Sequence, residues 1–149
     1  MSPRKLRLLF NFWPPFLFAG IRIEAITDDW RYARARLKLR WYNRNYVGAA
    51  FGGSLFALTD PFWMILLMES LGRDYVVWDK AAEIDFIAPG RGDVIAEFRV
   101  EDSVLAELRA ASADGSKVLR WFSTEVRSLE GELVARVRKQ IYLRRKKPA

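Results

Sequence analysis

The chain has 149 residues, of which 51% are hydrophobic and 14% aromatic; it has no cysteine, no histidine and a net charge of +7. That is enough apolar chain for one domain with its own core. The absent residues exclude a disulfide framework, thiolate or imidazole metal sites, and Cys-His or Ser-His-Asp catalysis. Acid–base chemistry falls first to a carboxylate, with Lys and Tyr as the remaining agents, and the positive charge favours an anionic partner: nucleic acid, a phosphate-bearing cofactor or an acidic membrane surface.

The chain opens on "MSPRKLRLLFNFWPPFLFAG". Its basic start and apolar continuation imitate a secretory leader. Pro14 and Pro15 interrupt it and no clear small-x-small site follows, so a cytoplasmic protein is expected. Residues 1–19 are assigned to an N-terminal arm, with a short amphipathic helix up to Pro14 and irregular apolar chain after it.

A strand is expected over 21–26, then a turn at Asp28 and Asp29. In 30–41, Ala33, Ala35, Leu37, Leu39 and Trp41 alternate with Arg34, Arg36, Lys38 and Arg40. Period two predicts a strand with one buried and one basic face. That basic face suits either a solvated surface or an anion.

Residues 53–71 form the one long apolar block, a buried helix by length and composition, with Gly72 as its stop. The apolar run 46–68 is about long enough to span a bilayer. Asp60 and Pro61 sit near its centre, where a carboxylate costs about 3 kcal/mol, so no transmembrane segment is assigned.

Further strands are expected over 75–88, 93–101, 117–129 and 132–145, with a short helix over 103–111. In the first of these, alternation turns Lys80 inward with Trp78, Ala82, Ile84 and Phe86, and leaves Asp79 outside with Glu83 and Asp85. In the last, Leu133, Ala135, Val137, Ile141 and Leu143 share one face; Arg136, Arg138, Gln140 and Arg144 share the other. Turn signals between strands imply an antiparallel sheet. The expected class is α+β: a curved antiparallel sheet wrapped around one long central helix, in a domain spanning 20–145, with a basic tail over 146–149.

That order resembles the hotdog fold. The stretch Asn45-YVGAA-Phe51-Gly52-Gly53-SLFAL-Thr59-Asp60 is similar in spacing to the motif of hotdog acyl-CoA thioesterases of the phenylacetyl-CoA type. There an asparagine precedes His-Gly-Gly and a helix carrying an acid. "IDFIAPGRGD" is similar to the family's strand ending in Pro and a Gly-rich turn. Phrases such as "RNYVG" and "FGGSLFA" also resemble an uncharacterised thioesterase-like branch of the superfamily.

The resemblance implies that Asp60 is the general base or nucleophile. It implies that the Gly52 backbone N–H polarises the thioester carbonyl, and that Asn45 helps hold water or the carbonyl. Asp79 falls where relatives often carry Ser or Thr near the thioester. Phe51 stands where the family has His, and Pro61 directly follows the acid. Phe51, Gly53, Lys80 and Arg91 are candidate substrate contacts, Arg91 for the phosphates of CoA. The implied substrate is an acyl-CoA or acyl-carrier thioester, with no metal and no cofactor beyond the CoA of the substrate.

Elementary chemistry fits these assignments. Helix N-terminal N–H groups stabilise an oxyanion, and glycine allows close approach. Eight helical residues span about 12 Å, so Gly52 and Asp60 of one chain cannot serve one carbonyl. The catalytic reading therefore requires a homo-oligomer, a dimer or a dimer of dimers.

Structural roles compete at each position. Asp60-Pro61 is also a helix start, with Asp as N-cap and Pro at N1. The glycine pair also permits tight helix entry, and Asn45 also suits a loop. Phe51 and Pro61 favour a hotdog protein that binds acyl thioesters or lipids without hydrolysis. A third class is a basic surface-interaction protein, although no established RNA- or DNA-binding signature is present.

Overall fold

Six period-two segments pair into one antiparallel sheet in the computed structural model, which describes residues 1–146. The strands are β1 (Ile21–Ile26), β2 (Tyr32–Leu37), β3 (Tyr75–Phe86), β4 (Val94–Arg99), β5 (Val118–Ser128) and β6 (Leu133–Arg145), in spatial order β1-β2-β4-β5-β6-β3. The helices are α1 (Pro3–Phe12), α2 (Pro14–Ala19), α3 (Gly52–Ala57), α4 (Phe62–Leu71) and α5 (Asp102–Ala111). Residues 147–149, most of the expected basic tail, lie outside the described residues.

The expected α+β hotdog architecture is present. Ala33, Ala35 and Leu37 of β2 and Val94, Ala96 and Phe98 of β4 are buried on the inner face of the sheet. Against that face lie Leu55 and Leu58 at the first half of the central helix, and Phe62, Trp63, Leu66 and Leu67 in the second. Phe62 stacks on Phe98 at 4.5 Å and Trp63 on Phe122 at 4.7 Å. The Trp63 indole N–H donates to Thr124 Oγ1 at 2.8 Å, so its one polar atom is satisfied inside the core.

The central helix is broken at Leu58–Pro61 into α3 and α4. Proline has no N–H to give, so the Ala57 carbonyl instead accepts from Asp60 N at 3.1 Å, one residue short of α-helical spacing. α4 ends at Gly72, whose φ of 94° suits glycine alone and whose N–H donates to the Met68 carbonyl.

Three local expectations are corrected. The arm after Pro14 is helical, because both prolines occupy the first turn, where a missing N–H costs nothing. β2 ends at Leu37, and Trp41 is 85% exposed in a short 3₁₀ turn, Trp41–Asn43. That turn is pinned by buried Asn43, whose Nδ2 donates to the carbonyls of Ala19 and Lys38 and whose Oδ1 accepts from Arg40 N. The expected phase of β3 holds beyond Lys80 but is wrong by one residue up to Asp79. Asp79 pairs with Ile141 and Ala81 with Gln140, which leaves Lys80 as a β-bulge.

That bulge decides the site. It puts Asp79 on the inner face with Val77 and sends Trp78 outward, where it stacks on Tyr142 at 4.0 Å. Lys80 is exposed rather than inward. Past the bulge Ala82, Ile84 and Phe86 return to the inner face, yet Ala82 and Phe86 remain exposed there. The inner face of this edge strand is thus not fully covered by the rest of the chain.

Candidate active site

The sharpest polar feature of the interior is a lysine. Lys139 lies on β6 in the same alternation as Val137 and Ile141, and its side chain is 2% exposed. Its ammonium donates to the Asp60 carbonyl at 2.6 Å, to Asp60 Oδ1 at 2.8 Å and to Asp79 Oδ2 at 2.8 Å. Three donors meet three acceptors, so the buried cation is saturated. A buried cation is tolerated on such terms only.

Asp60 occupies the break between α3 and α4, and its side chain is 64% exposed. One carboxylate oxygen is anchored by Lys139; among the described residues Oδ2 has no hydrogen-bond partner. The start of α4 carries no side-chain cap, so Asp60 is not the N-cap of that helix. Lys139 takes the carboxylate instead. Asp79 contributes its other oxygen, Oδ1, as a buried atom without a partner.

The second feature lies at the start of the same helix. A cavity of about 420 Å³ is lined by Asn45, Ala49, Ala50, Gly52, Leu55 and the segment 86–90. Its walls are mostly apolar. The first N–H groups of α3 have no intrahelical acceptor by helix geometry, and Gly52 presents one of them at the cavity. A Cβ on Gly52 would stand 2.9 Å from the ring of Phe86, and one on Gly53 would stand 2.5 Å from the ring of Phe51. Both rings are more than half exposed and frame the helix start.

Asn45 sits at the cavity but uses its Oδ1 to accept from the N–H groups of Val47 and Ala49. It shapes the loop that delivers the chain to Gly52. Arg91 is exposed immediately after Gly90 of the cavity wall. The Gly90 carbonyl accepts from Ala50 N at 2.8 Å, which ties that turn to the loop before α3.

The structure therefore joins Asp60 and Asp79, which alternation had set apart, through Lys139. It joins Gly52, Asn45 and the turn before Arg91 at the cavity. It does not bring Asp60 to that cavity, and Lys80 belongs to neither group. Lys139 is the residue that sequence reasoning missed; the signal was a lysine occupying an inward position in the apolar row of β6. Among the described residues, no group of three or more carboxylates gathers as a metal site.

The family model for a domain of unknown function, DUF4442, matches residues 4–143. The chain belongs to that family. No curated protein matches it. Among solved structures, it is similar to PA5026 of Pseudomonas aeruginosa, a protein of unknown function described as a probable thioesterase, with 24% identity, 96% of each chain covered and a TM-score of 0.84. The thioesterase HI1161 of Haemophilus influenzae is 15% identical over 97% of this chain and 92% of its own, with a TM-score of 0.70. PaaI of Escherichia coli, from the phenylacetic acid degradation operon, is 15% identical over 98% and 93%, with a TM-score of 0.62. At these identities the likeness is one of fold. It gives the chain the hotdog fold.

Proposed function

We propose that the protein hydrolyses a thioester of CoA or an acyl carrier, with Asp60 as the base or nucleophile. The observation that carries this reading is the Asp60 carboxylate itself. It interrupts the core helix, is anchored through one oxygen by a saturated buried lysine, and turns the rest of its carboxylate to solvent. A purely structural Asp at that break would cap α4, and this one does not.

The chemistry needs two parts. In the base route, Asp60 takes a proton from water as the oxygen attacks the thioester carbonyl. The Gly52 N–H holds the oxyanion of the tetrahedral intermediate. Collapse breaks the C–S bond, and the proton on Asp60 passes to the departing thiolate. In the nucleophilic route the Asp60 carboxylate attacks the thioester carbonyl and the C–S bond breaks to release thiolate; water then cleaves the mixed anhydride, regenerating Asp60 and giving the carboxylic acid, whose proton neutralises the thiolate. The apolar cavity takes the acyl group, and exposed Arg91, next to Gly90 of the cavity wall, meets phosphates of the carrier. Thioesterase names among the structural relatives support the reaction class.

Asp60 does not line the cavity that holds Gly52, so the proposed site is composite. β3 is a 12-residue edge strand whose far side faces no other strand among the described residues. Exposed edges of this length invite pairing. Antiparallel pairing of two β3 strands about a two-fold axis would bring the Asp79 end of one toward the partner's Phe86 end, with Asp60 of one chain near the partner's Gly52.

A second reading, binding of acyl thioesters or lipids without turnover, is favoured by Phe51, whose ring packs on Gly53 where the related motif carries a polar His. Thiol release from a panel of acyl-CoAs, measured beside Asp60→Asn, separates the two. The hydrolase reading expects turnover that falls by about 100-fold or more in the variant. No release from any substrate, with the thioesters still raising the melting temperature, would establish the binding protein instead.

A further inference from the structure

The helical cap formed by α1 and α2 presents a surface that neither the core nor the proposed site uses. The inward side of α1 carries Pro3 and Leu6 against β1. Its other side carries Leu8, Leu9 and Phe12, and the corner continues through Trp13, Leu17 and Phe18, all exposed. Phe12 and Phe18 are about three-quarters exposed, at 74% and 75%. A contiguous apolar patch on so basic a chain marks an interaction surface.

The patch is built rigidly. Asn11 clamps both backbone groups of Ile23: its Nδ2 donates to the carbonyl at 3.1 Å and its Oδ1 accepts from the N–H at 2.7 Å. Arg7 donates to the Glu24 carbonyl at 2.8 Å. Phe16, buried, links the corner to the core, with Trp13 at 5.5 Å and Phe62 at 6.3 Å. The cap therefore holds its exposed rings in place instead of folding them away.

The rim is cationic. Phe12 and Leu17 share one surface hollow with Arg22, Lys38, Arg40 and Tyr42, and Leu8 shares the next with Arg22 and Lys38. None of Arg22, Lys38 and Arg40 pairs with a carboxylate among the described residues, whereas Arg34 and Arg36 nearby are neutralised by Glu24, Glu97 and Asp93. Two copies meeting through this face would set unpaired cations against each other. Anionic lipid complements both components: headgroups meet the rim, and the acyl boundary receives Phe12, Trp13, Leu17 and Phe18.

We infer that the α1–α2 cap is a peripheral membrane-docking surface selective for anionic bilayers. The inference does not depend on the hydrolase reading.

Flotation with phosphatidylcholine vesicles, with and without phosphatidylglycerol, tests it on the full chain. The protein should float only with the anionic vesicles, and raised salt should weaken binding. Phe12→Ser/Phe18→Ser and Arg22→Gln/Lys38→Gln/Arg40→Gln should each lower vesicle affinity by at least about tenfold with melting temperature unchanged, since all five side chains are outside the core. Three results would overturn it: no flotation with anionic vesicles at low salt, flotation unaffected by the aromatic pair, or a wild-type oligomer that dissociates in the aromatic variant, which would make a second copy the occupant.

Discussion

At the scale of single residues, Lys139 separates two kinds of effect. Lys139→Met keeps the length of the chain but leaves Asp79 with both oxygens unpaired, one of them already buried. The expected loss of stability is roughly 1 to 3 kcal/mol, read as a lower urea midpoint. Adding Asp79→Asn to Lys139→Met removes the stranded charge and should return part of that loss. A double variant no more stable than Lys139→Met would mean the pairing contributes little. Under the hydrolase proposal, Lys139→Met also frees Asp60 from its anchor, so turnover should fall while substrate affinity, set at the cavity, holds. The helix break at Asp60-Pro61 was readable from the sequence as one alternative, because both residue types favour a helix start. Lys139 was hidden because a lysine in a strand is taken as solvated, and only the buried neighbours on either side argue otherwise.

At the scale of elements, positions where backbone geometry leaves one residue type are the firmest tests. Gly20 joins α2 to β1 at φ 79°, and a Cβ there would stand 2.5 Å from Asn43 Nδ2 and 2.9 Å from the Lys38 carbonyl. Gly20→Ala should destabilise by about 1 to 3 kcal/mol through strain and loss of the Asn43 clamp, lowering the melting temperature. Gly92→Ala, with nothing within 4 Å and no positive φ, is the control and should be near neutral. The order of elements along the chain, the sheet class and the central helix were legible because alternation and apolar run length survive in the folded chain. The inward turn of Asp79 was not. A bulge at Lys80 inverts the phase, and an edge strand exposed on much of its inner face imposes no hydrophobic penalty that would mark the slip. Trp41 failed for a related reason: Lys38 N donates to the Gly20 carbonyl and Leu39 N to Asp93, so the ladder stops before the alternation does.

At the scale of the whole molecule, charge sets both pH limits of stability and assembly sets the site. Glu125 is held below its ordinary value first by Arg127 and then by Arg136, and Asp29 first by the Thr27 hydroxyl. Depressed carboxylates stabilise the fold above their unfolded values and lose that contribution as pH falls, so stability should decline below about pH 4.5. Burial, then the hydrogen bond to Glu97, raises Tyr32 above 10.0. The folded state keeps that proton longer than the unfolded one, so this contribution is present below pH 10.0 and is lost as pH rises further. Melting temperature against pH would read both limits. The composite site makes a stricter demand. Asp60→Asn and Gly52→Val should each abolish turnover, the second because its side chain would crowd Phe86 and the cavity mouth. If each site takes Asp60 from one chain and Gly52 from the other, a mixed dimer of the two variants carries both defects in one site and neither in its twin. Unfolding the two inactive proteins together and refolding them should then restore about a quarter of wild-type activity, because half the dimers are mixed and each has one intact site. A site contained in one chain would restore none, since every protomer in the mixture carries a defect. Recovery near a quarter would therefore assign both the assembly and the division of labour within it from one measurement, and absence of recovery with active wild type would overturn a site shared between two chains.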